Sequence, residues 1–251
     1  MVCLYLKNKG SAVRFCLWPQ QSIMENLTTI IVPFYNEEKL LEKSVLDILR
    51  EDFQKEIILV NDGSVDNSKF IALNLEKSYE NITLLDSKEN KGKGHAVQLG
   101  LKKASGELIG IYDADQEYSA TDLKKLVDCI RTDDLDYICG SRFIGNRERS
   151  NIYLRTYIAN KFLSYLFSYV HKVKITDIAT CLKIFKKEVI EEFNFEKNDF
   201  SIEVELIARV ASKTKKFKEL PISYKGRSYQ DGKKIKFIDG FKYIFAIFKY
   251  K

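Results

Sequence analysis

The chain has little of what builds linkers, disulfide scaffolds or membrane spans. Three prolines and 12 glycines in 251 residues leave no long proline- or glycine-rich linker. The five cysteines (Cys3, Cys16, Cys129, Cys139, Cys181) are odd in number, scattered and without a Cys-x-x-Cys pair. That pattern excludes a disulfide framework and a zinc-ligand set, and it fits a reducing compartment. No apolar run approaches the roughly 20 residues that cross a bilayer, and no internal repeat is visible. Two short apolar patches, 2–6 and 12–18, are split by Lys7-Asn8-Lys9. Neither makes a leader's apolar core and no small-residue cleavage site follows, so no cleaved leader is expected. Residues 1–23 are read as an extension of unassigned role.

What is present is ordinary for a globular domain, 45% hydrophobic and 30% charged, with length for one large core or one domain plus an elaboration. The net charge of +6 is unevenly spread. From Lys213 to Lys251 there are twelve Lys or Arg against three acids, so the remainder is slightly acidic. Such a tail calls for an anionic ligand, a nucleic acid or an anionic membrane. No nucleic-acid-binding motif accompanies it.

From Thr28 onward apolar runs and helical patterns alternate. Strands are expected at 29–32, 56–60, 82–85, 108–112 and 137–139, with helices near 40–49, 68–79, 94–104 and 121–131. This rhythm predicts an α/β fold with a mostly parallel sheet flanked by helices. The second half is less regular, with a helix over 202–211, a strand near 218–223 and a C-terminal amphipathic helix over 237–250. In such sheets ligands bind beyond the carboxyl ends of the strands, where Asn36-Glu37, Asp62, Asp113/Asp115 and Ser141-Arg142 fall.

Asp113 and Asp115 follow the strand at 108–112. Residues two apart in extended chain project to one side, and a hard divalent cation takes one or two carboxylates plus phosphates and water. Glu117 offers a third oxygen ligand. Alone, Asp-x-Asp after a strand is as readily a solvated loop. Asp62-Gly63 permits a tight turn that frees Asp62 to meet a base or ribose, yet it also reads as an ordinary turn. Asn36 with Glu37 and Glu38 suits a helix N-terminus. Asn90-Lys91-Gly92-Lys93-Gly94 resembles a phosphate-facing loop opening a helix, without Walker spacing. His95, beside it, reads as structural.

Taken in order, Pro33-x-Tyr35-Asn36-Glu37, Asp62-Gly63-Ser64-x-Asp66, Asn90-x-Gly92-Lys93-Gly94-x-Ala96 and Asp113-x-Asp115 resemble family 2 glycosyltransferases with the GT-A fold. Gly140-Ser141-Arg142, Thr176-Asp177, Thr180-Cys181-x-Lys183, Pro221-Ile222-x-Tyr224 and Gly226-Arg227-Ser228-Tyr229-x-Asp231-Gly232-Lys233-Lys234 extend the match. These later segments are similar to the branch of polyprenyl-phosphate (dolichyl-phosphate) mannose and glucose synthases. The resemblance implies a GT-A domain over 24–236 and a basic aromatic helix over 237–251. It also implies that Pro33, Tyr35, Glu37, Asp62, Lys93, Asp113, Lys233 and Lys234 bind a nucleoside-diphosphate-sugar donor, with Asp113 toward the ribose. Asp115 and Glu117 would ligate Mg2+ or Mn2+, and Asp115, Arg142 and Arg227 would carry the chemistry. Three positions depart from the usual pattern: Asn61 stands for Asp, Leu182 for an aromatic residue and Ala120 for Pro. Glu117 often aligns with Gln.

The implied reaction is an inverting single displacement at the anomeric carbon. A hydroxyl acceptor needs a general base, whereas a polyprenyl phosphate is already anionic, its second pKa being about 6. The Arg and Lys residues after Ser141 favour the phosphate; a hydroxyl of a cell-surface glycan or lipid-linked precursor is the alternative. A catalytically silent nucleotide-sugar binder would be expected to have lost Asp113, Asp115, Glu117 or Arg227, and all four are present. Phe162, Tyr165, Leu166, Tyr169 and Val170, and Phe237, Phe241, Phe245 and Phe248 beside Lys242 and Lys249, make two stripes that either pack the second half onto the sheet or face a membrane. The expected location is cytoplasmic, peripheral on an anionic membrane surface.

Overall fold

The computed structural model describes residues 2–8, 11–17, 26–151, 153–227 and 237–251. Lys233 and Lys234 lie outside the described residues. The two apolar patches of the extension form β1 (Val2–Asn8) and β2 (Ser11–Leu17), an antiparallel pair with Val2 opposite Leu17.

The strands expected from Thr28 onward are β3 (Thr28–Phe34), β4 (Lys55–Asp62), β5 (Ile82–Ser87), β6 (Leu108–Ile111) and β7 (Tyr137–Ser141). Three further strands follow: β8 (Arg149–Ser150), β9 (Lys183–Lys186) and β10 (Phe217–Pro221). The main sheet has the order β10-β7-β9-β6-β3-β4-β5 and is parallel except for β9, which runs antiparallel to both β6 and β7. β9 was not foreseen, because Lys-Ile-Phe-Lys is too short to show a period. A two-residue strand, β11 (Tyr224–Lys225), pairs with β8.

β3 is buried along its whole length, as expected of a central parallel strand covered on both faces. It contains Pro33, which could break a ladder. Pairing with β6 ends at Ile31, and the Ile31 carbonyl accepts from Tyr112 N–H on that side. Pro33, two residues on, points its missing N–H the same way, past the end of β6. The ladder loses nothing.

Helices α1 (Leu41–Arg50), α2 (Ser68–Ser78), α3 (Lys93–Lys103) and α4 (Ala120–Thr132) alternate with these strands. α1 buries Leu41, Val45 and Ile48, one face at helical spacing, each side chain worth roughly 1.5–3 kcal/mol of burial. The second half adds α5 (Leu154–His171), α6 (Lys187–Ile190), α7 (Ile202–Lys213) and α8 (Phe237–Lys249). α5 and α8 pack together, with His171 Nε2 bonded to the Ile247 carbonyl at 2.9 Å. Of the expected stripes, Phe162, Tyr165 and Tyr169 on α5 and Phe241, Phe245 and Phe248 on α8 are exposed. Leu166 and Val170 turn inward against the core. Among the described residues no helix is long and apolar enough to cross a membrane.

Candidate active site

A cavity of about 420 Å3 opens beyond the carboxyl ends of β3, β4 and β6. It is lined by residues that lie far apart in sequence, among them Pro33, Tyr35, Glu37, Asp62, Lys93, Asp113, Asp115, Glu117, Arg142 and Arg227. The fold therefore gathers every described site residue expected from sequence into one pocket.

The loops that hold it are braced against each other. Asn36, at φ 52°, does not cap α1, which begins at Leu41. Its Oδ1 instead accepts from Val65 N–H at 2.9 Å, and Ser64 Oγ accepts from Asn36 N–H at 3.0 Å. Asp62 is not free either. Its two oxygens accept from Lys91 N–H (3.0 Å) and Gly92 N–H (2.8 Å), so it holds the following loop while facing the cavity. Gly94 must be glycine because a Cβ there would meet the Lys197 carbonyl at 2.0 Å. Close approach of segment 196–199, rather than a phosphate, is what that position requires.

Lys93 turns inward. Its ammonium meets Asp113 at 2.7 Å and Glu203 at 2.8 Å, and Lys183 closes the chain by pairing with the same Glu203 at 2.5 Å. Burial opposes charge on both Lys93 and Asp113, but their mutual attraction holds Lys93 well above and Asp113 below their ordinary values. Glu203 was missed in the sequence; a Glu in the first turn of a helix looks like routine dipole compensation.

Asp115 has a different partner. Its Oδ2 accepts from Arg227 Nη2 at 3.1 Å, and its Oδ1 from Glu117 N–H at 3.1 Å. Burial, then repulsion from Asp113 and Glu117, pushes its carboxyl up to about 7, with Arg227 opposing. The Glu117 carboxylate accepts from Tyr224 Oη at 2.8 Å and Arg227 N–H at 2.7 Å. The Asp-Ala-Asp turn is also pinned from outside, Ser44 Oγ donating to the Ala114 carbonyl and Gln116 Nε2 to Ser44 and Asp47.

Arg142 is buried, its Nε and Nη2 each 2.7 Å from Asp177. Asp177 and Thr176 donate their N–H groups to Glu219. Burial raises the Glu219 carboxyl to about 7, against the effect of those donors. Arg142 also lies 4.9 Å from the Tyr224 ring centre. It borders the cavity as a residue already paired.

Among the described residues, six carboxylates line the cavity (Glu37, Asp62, Asp113, Asp115, Glu117, Glu203) against three cations (Lys93, Arg142, Arg227). Among the described residues no three His, Cys, Asp or Glu side chains form a ready-made metal cage. An all-oxygen, acid-rich set with a carboxylate as strained as Asp115 fits a hard cation that completes its shell with phosphate and water.

The sequence profile of Glycosyl transferase family 2 matches residues 29–193. The chain belongs to glycosyl transferase family 2. Among this family's curated members, the UDP-N-acetylglucosamine--dolichyl-phosphate N-acetylglucosaminyltransferase of Methanococcus voltae is 30% identical over 182 residues, 66% of this chain and 72% of that protein. The dolichyl-phosphate beta-glucosyltransferase ALG5A of Trichomonas vaginalis is 34% identical over 174 residues, 64% of this chain and 53% of that protein. The chain thus spans about half the length of this second relative. The fold is that of GT-A enzymes. Glucosyl-3-phosphoglycerate synthase from Mycobacterium tuberculosis, solved with Mn2+, UDP and glucosyl-3-phosphoglycerate, superposes with a TM-score of 0.68 at 14% identity, covering 94% of this chain and 85% of that one.

Proposed function

We propose that this glycosyltransferase moves a hexose, with inversion, from a nucleoside-diphosphate sugar to a polyprenyl phosphate in the presence of Mg2+ or Mn2+. The observation that carries the proposal is the charge of the cavity's described lining. Among the described residues, six carboxylates against three cations repel a bare diphosphate, and a divalent cation held by Asp115, with Glu117 beside it, reverses that. When bound, the metal supplies charge stabilisation for the departing nucleoside diphosphate. Pro33, Tyr35, Glu37 and Asp62 line the side of the cavity suited to the nucleoside, and Asp113 faces the ribose. Arg227 addresses the diphosphate or the acceptor phosphate as negative charge develops; the family resemblance implies the same role for Lys233 and Lys234.

The acceptor reading rests on partners. Each of the six carboxylates already accepts from a cation, an N–H or an O–H. Among the described lining residues no carboxylate stands without a partner as a base for a hydroxyl, and a phosphate monoester needs none. The two curated relatives described above carry dolichyl phosphate in their names, which supports the same acceptor class. Membrane association follows from a lipid acceptor, with the exposed aromatics of α5 and α8 as the surface that meets an anionic bilayer on its cytoplasmic face, and residues 24–236 as the catalytic domain.

The test is a panel of labelled nucleotide sugars offered with polyprenyl phosphate and Mg2+ or Mn2+. The expected product is organic-extractable and acid-labile. Absence of lipid product across the panel would overturn the acceptor assignment, and an alkali-stable product on a sugar acceptor would select the hydroxyl reading.

A further inference from the structure

Arg227 is the most heavily committed cation in the cavity. Nη1 donates to Glu37 Oε2 at 3.0 Å, and Nη2 donates to Glu37 Oε1 at 3.1 Å and to Asp115 Oδ2 at 3.1 Å. Its own backbone N–H is taken by Glu117, while Nε is buried without a hydrogen-bond partner among the described residues. One guanidinium therefore bridges two carboxylates assigned to donor and metal, and its main chain holds a third.

The oxygen it occupies matters. Asp115 Oδ1 is already used by the Glu117 N–H, and Arg227 sits on Oδ2, the oxygen left for a metal. A Mg2+ or Mn2+ ligated there at about 2.1 Å would face the guanidinium at close range, and two cations that near repel. Glu37, joined to the guanidinium by two parallel bonds, is the forked geometry that holds an arginine in place. The buried Nε, a donor without an acceptor among the described residues, marks the pose as one the arginine can improve on by moving to a diphosphate.

We propose that Arg227 is an internal stand-in cation: it balances Glu37 and Asp115 until a metal and a nucleoside diphosphate arrive together, and then passes from Asp115 to the diphosphate. This rests on the donor and metal reading given above. Its consequence is that divalent metal alone competes poorly for Asp115, whereas metal with nucleotide does not. Arg227 is in this respect a positioning residue for the carboxylates as well as a ligand for the diphosphate.

Calorimetric titration of metal-free protein with Mn2+, alone and with UDP or GDP, reads this without turnover. Wild-type protein is expected to bind Mn2+ at least about tenfold more weakly alone than with the matching nucleotide. Arg227→Met is expected to move the two affinities in opposite directions: tighter Mn2+ alone, weaker Mn2+ with nucleotide. A merely structural role would weaken both. Arg227→Lys keeps the charge but cannot span Glu37 and Asp115, so it should fall between, and it decides the matter if the Met variant does not fold by circular dichroism. An Arg227→Met protein that folds and binds Mn2+ alone no more tightly than wild type overturns the inference and leaves the donor reading standing. Wild-type protein that binds no Mn2+ with either nucleotide overturns both.

Discussion

At the scale of single residues, the two aspartates of the Asp-Ala-Asp turn do different work because they have different partners. Asp113 is neutralised by Lys93, itself shared with Glu203; Asp115 shares Arg227 with Glu37, and burial with its acidic neighbours raises it against that cation. Asp115→Ala is expected to lower turnover by roughly a hundredfold or more, the scale for losing one group that stabilises transition-state charge, with Mn2+ affinity lost in the same protein. Wild-type turnover in that variant would show the metal assignment to be wrong. Glu203→Gln leaves Lys93 and Lys183 with one neutral partner. It should raise the KM for donor more than it lowers kcat, since Glu203 acts on Asp113 only through Lys93; steady-state kinetics checks this. Glu203 was illegible in sequence because its partners, Lys93 and Lys183, come from two other elements, α3 and β9. Asp113 and Asp115 were legible because they fall at a strand end within an ordered series of motifs, not from the tripeptide alone. Asp62 was found but given too much freedom, since the N–H groups that take its oxygens lie about thirty residues on.

At the scale of elements, the parallel strands and the helices between them could be read from apolar runs and turn residues, as β3, β4 and α1 illustrate. β9 could not, because an antiparallel insertion four residues long is defined by its neighbours, β6 and β7, and not by its own pattern. The aromatic stripes were half legible. Helical spacing showed Phe162, Tyr165 and Tyr169, but only packing shows that Leu166 and Val170 face inward. On α8 the lysines have partners, Lys242 with Asp199 at 2.9 Å and Lys249 with Glu196, so the aromatic face rather than those charges is what α8 offers a bilayer. Replacing Phe245 and Phe248 together by Glu should cut co-sedimentation with anionic vesicles severalfold without loss of helix content, each buried CH2 being worth about 0.8 kcal/mol. Unchanged sedimentation would assign the stripe another role.

At the scale of the whole molecule, the site is closed by joining the two halves of the chain, Arg227 to Glu37 and Asp115 and Tyr224 to Glu117, while Glu219 braces Thr176 and Asp177 within the second half. Glu219 gives this second half a pH signature. Its folded carboxyl lies near 7 against an ordinary 4.5, so the folded state holds its proton more firmly than the unfolded chain does. Glu219's contribution is thus fully favourable below about pH 4.5 and is lost as pH rises through about 7, by up to roughly 3 kcal/mol at about 1.4 kcal/mol per unit. Thermal unfolding from pH 4.5 to 8 should show this slope, and Glu219→Gln should flatten its share of it. An identical slope in the variant would contradict the assignment.

The cation proposed to address phosphate, Arg227, sits where the two halves join, so the acceptor is the central claim. The most direct measurement offers the purified protein, with Mn2+ and a labelled nucleotide sugar it turns over, either a polyprenyl phosphate or the matching polyprenol under identical conditions. Label is expected in an acid-labile lipid from the phosphate and not from the alcohol. Equal labelling of the alcohol, or none of the phosphate while the same sugar passes to a glycan hydroxyl, would contradict the account.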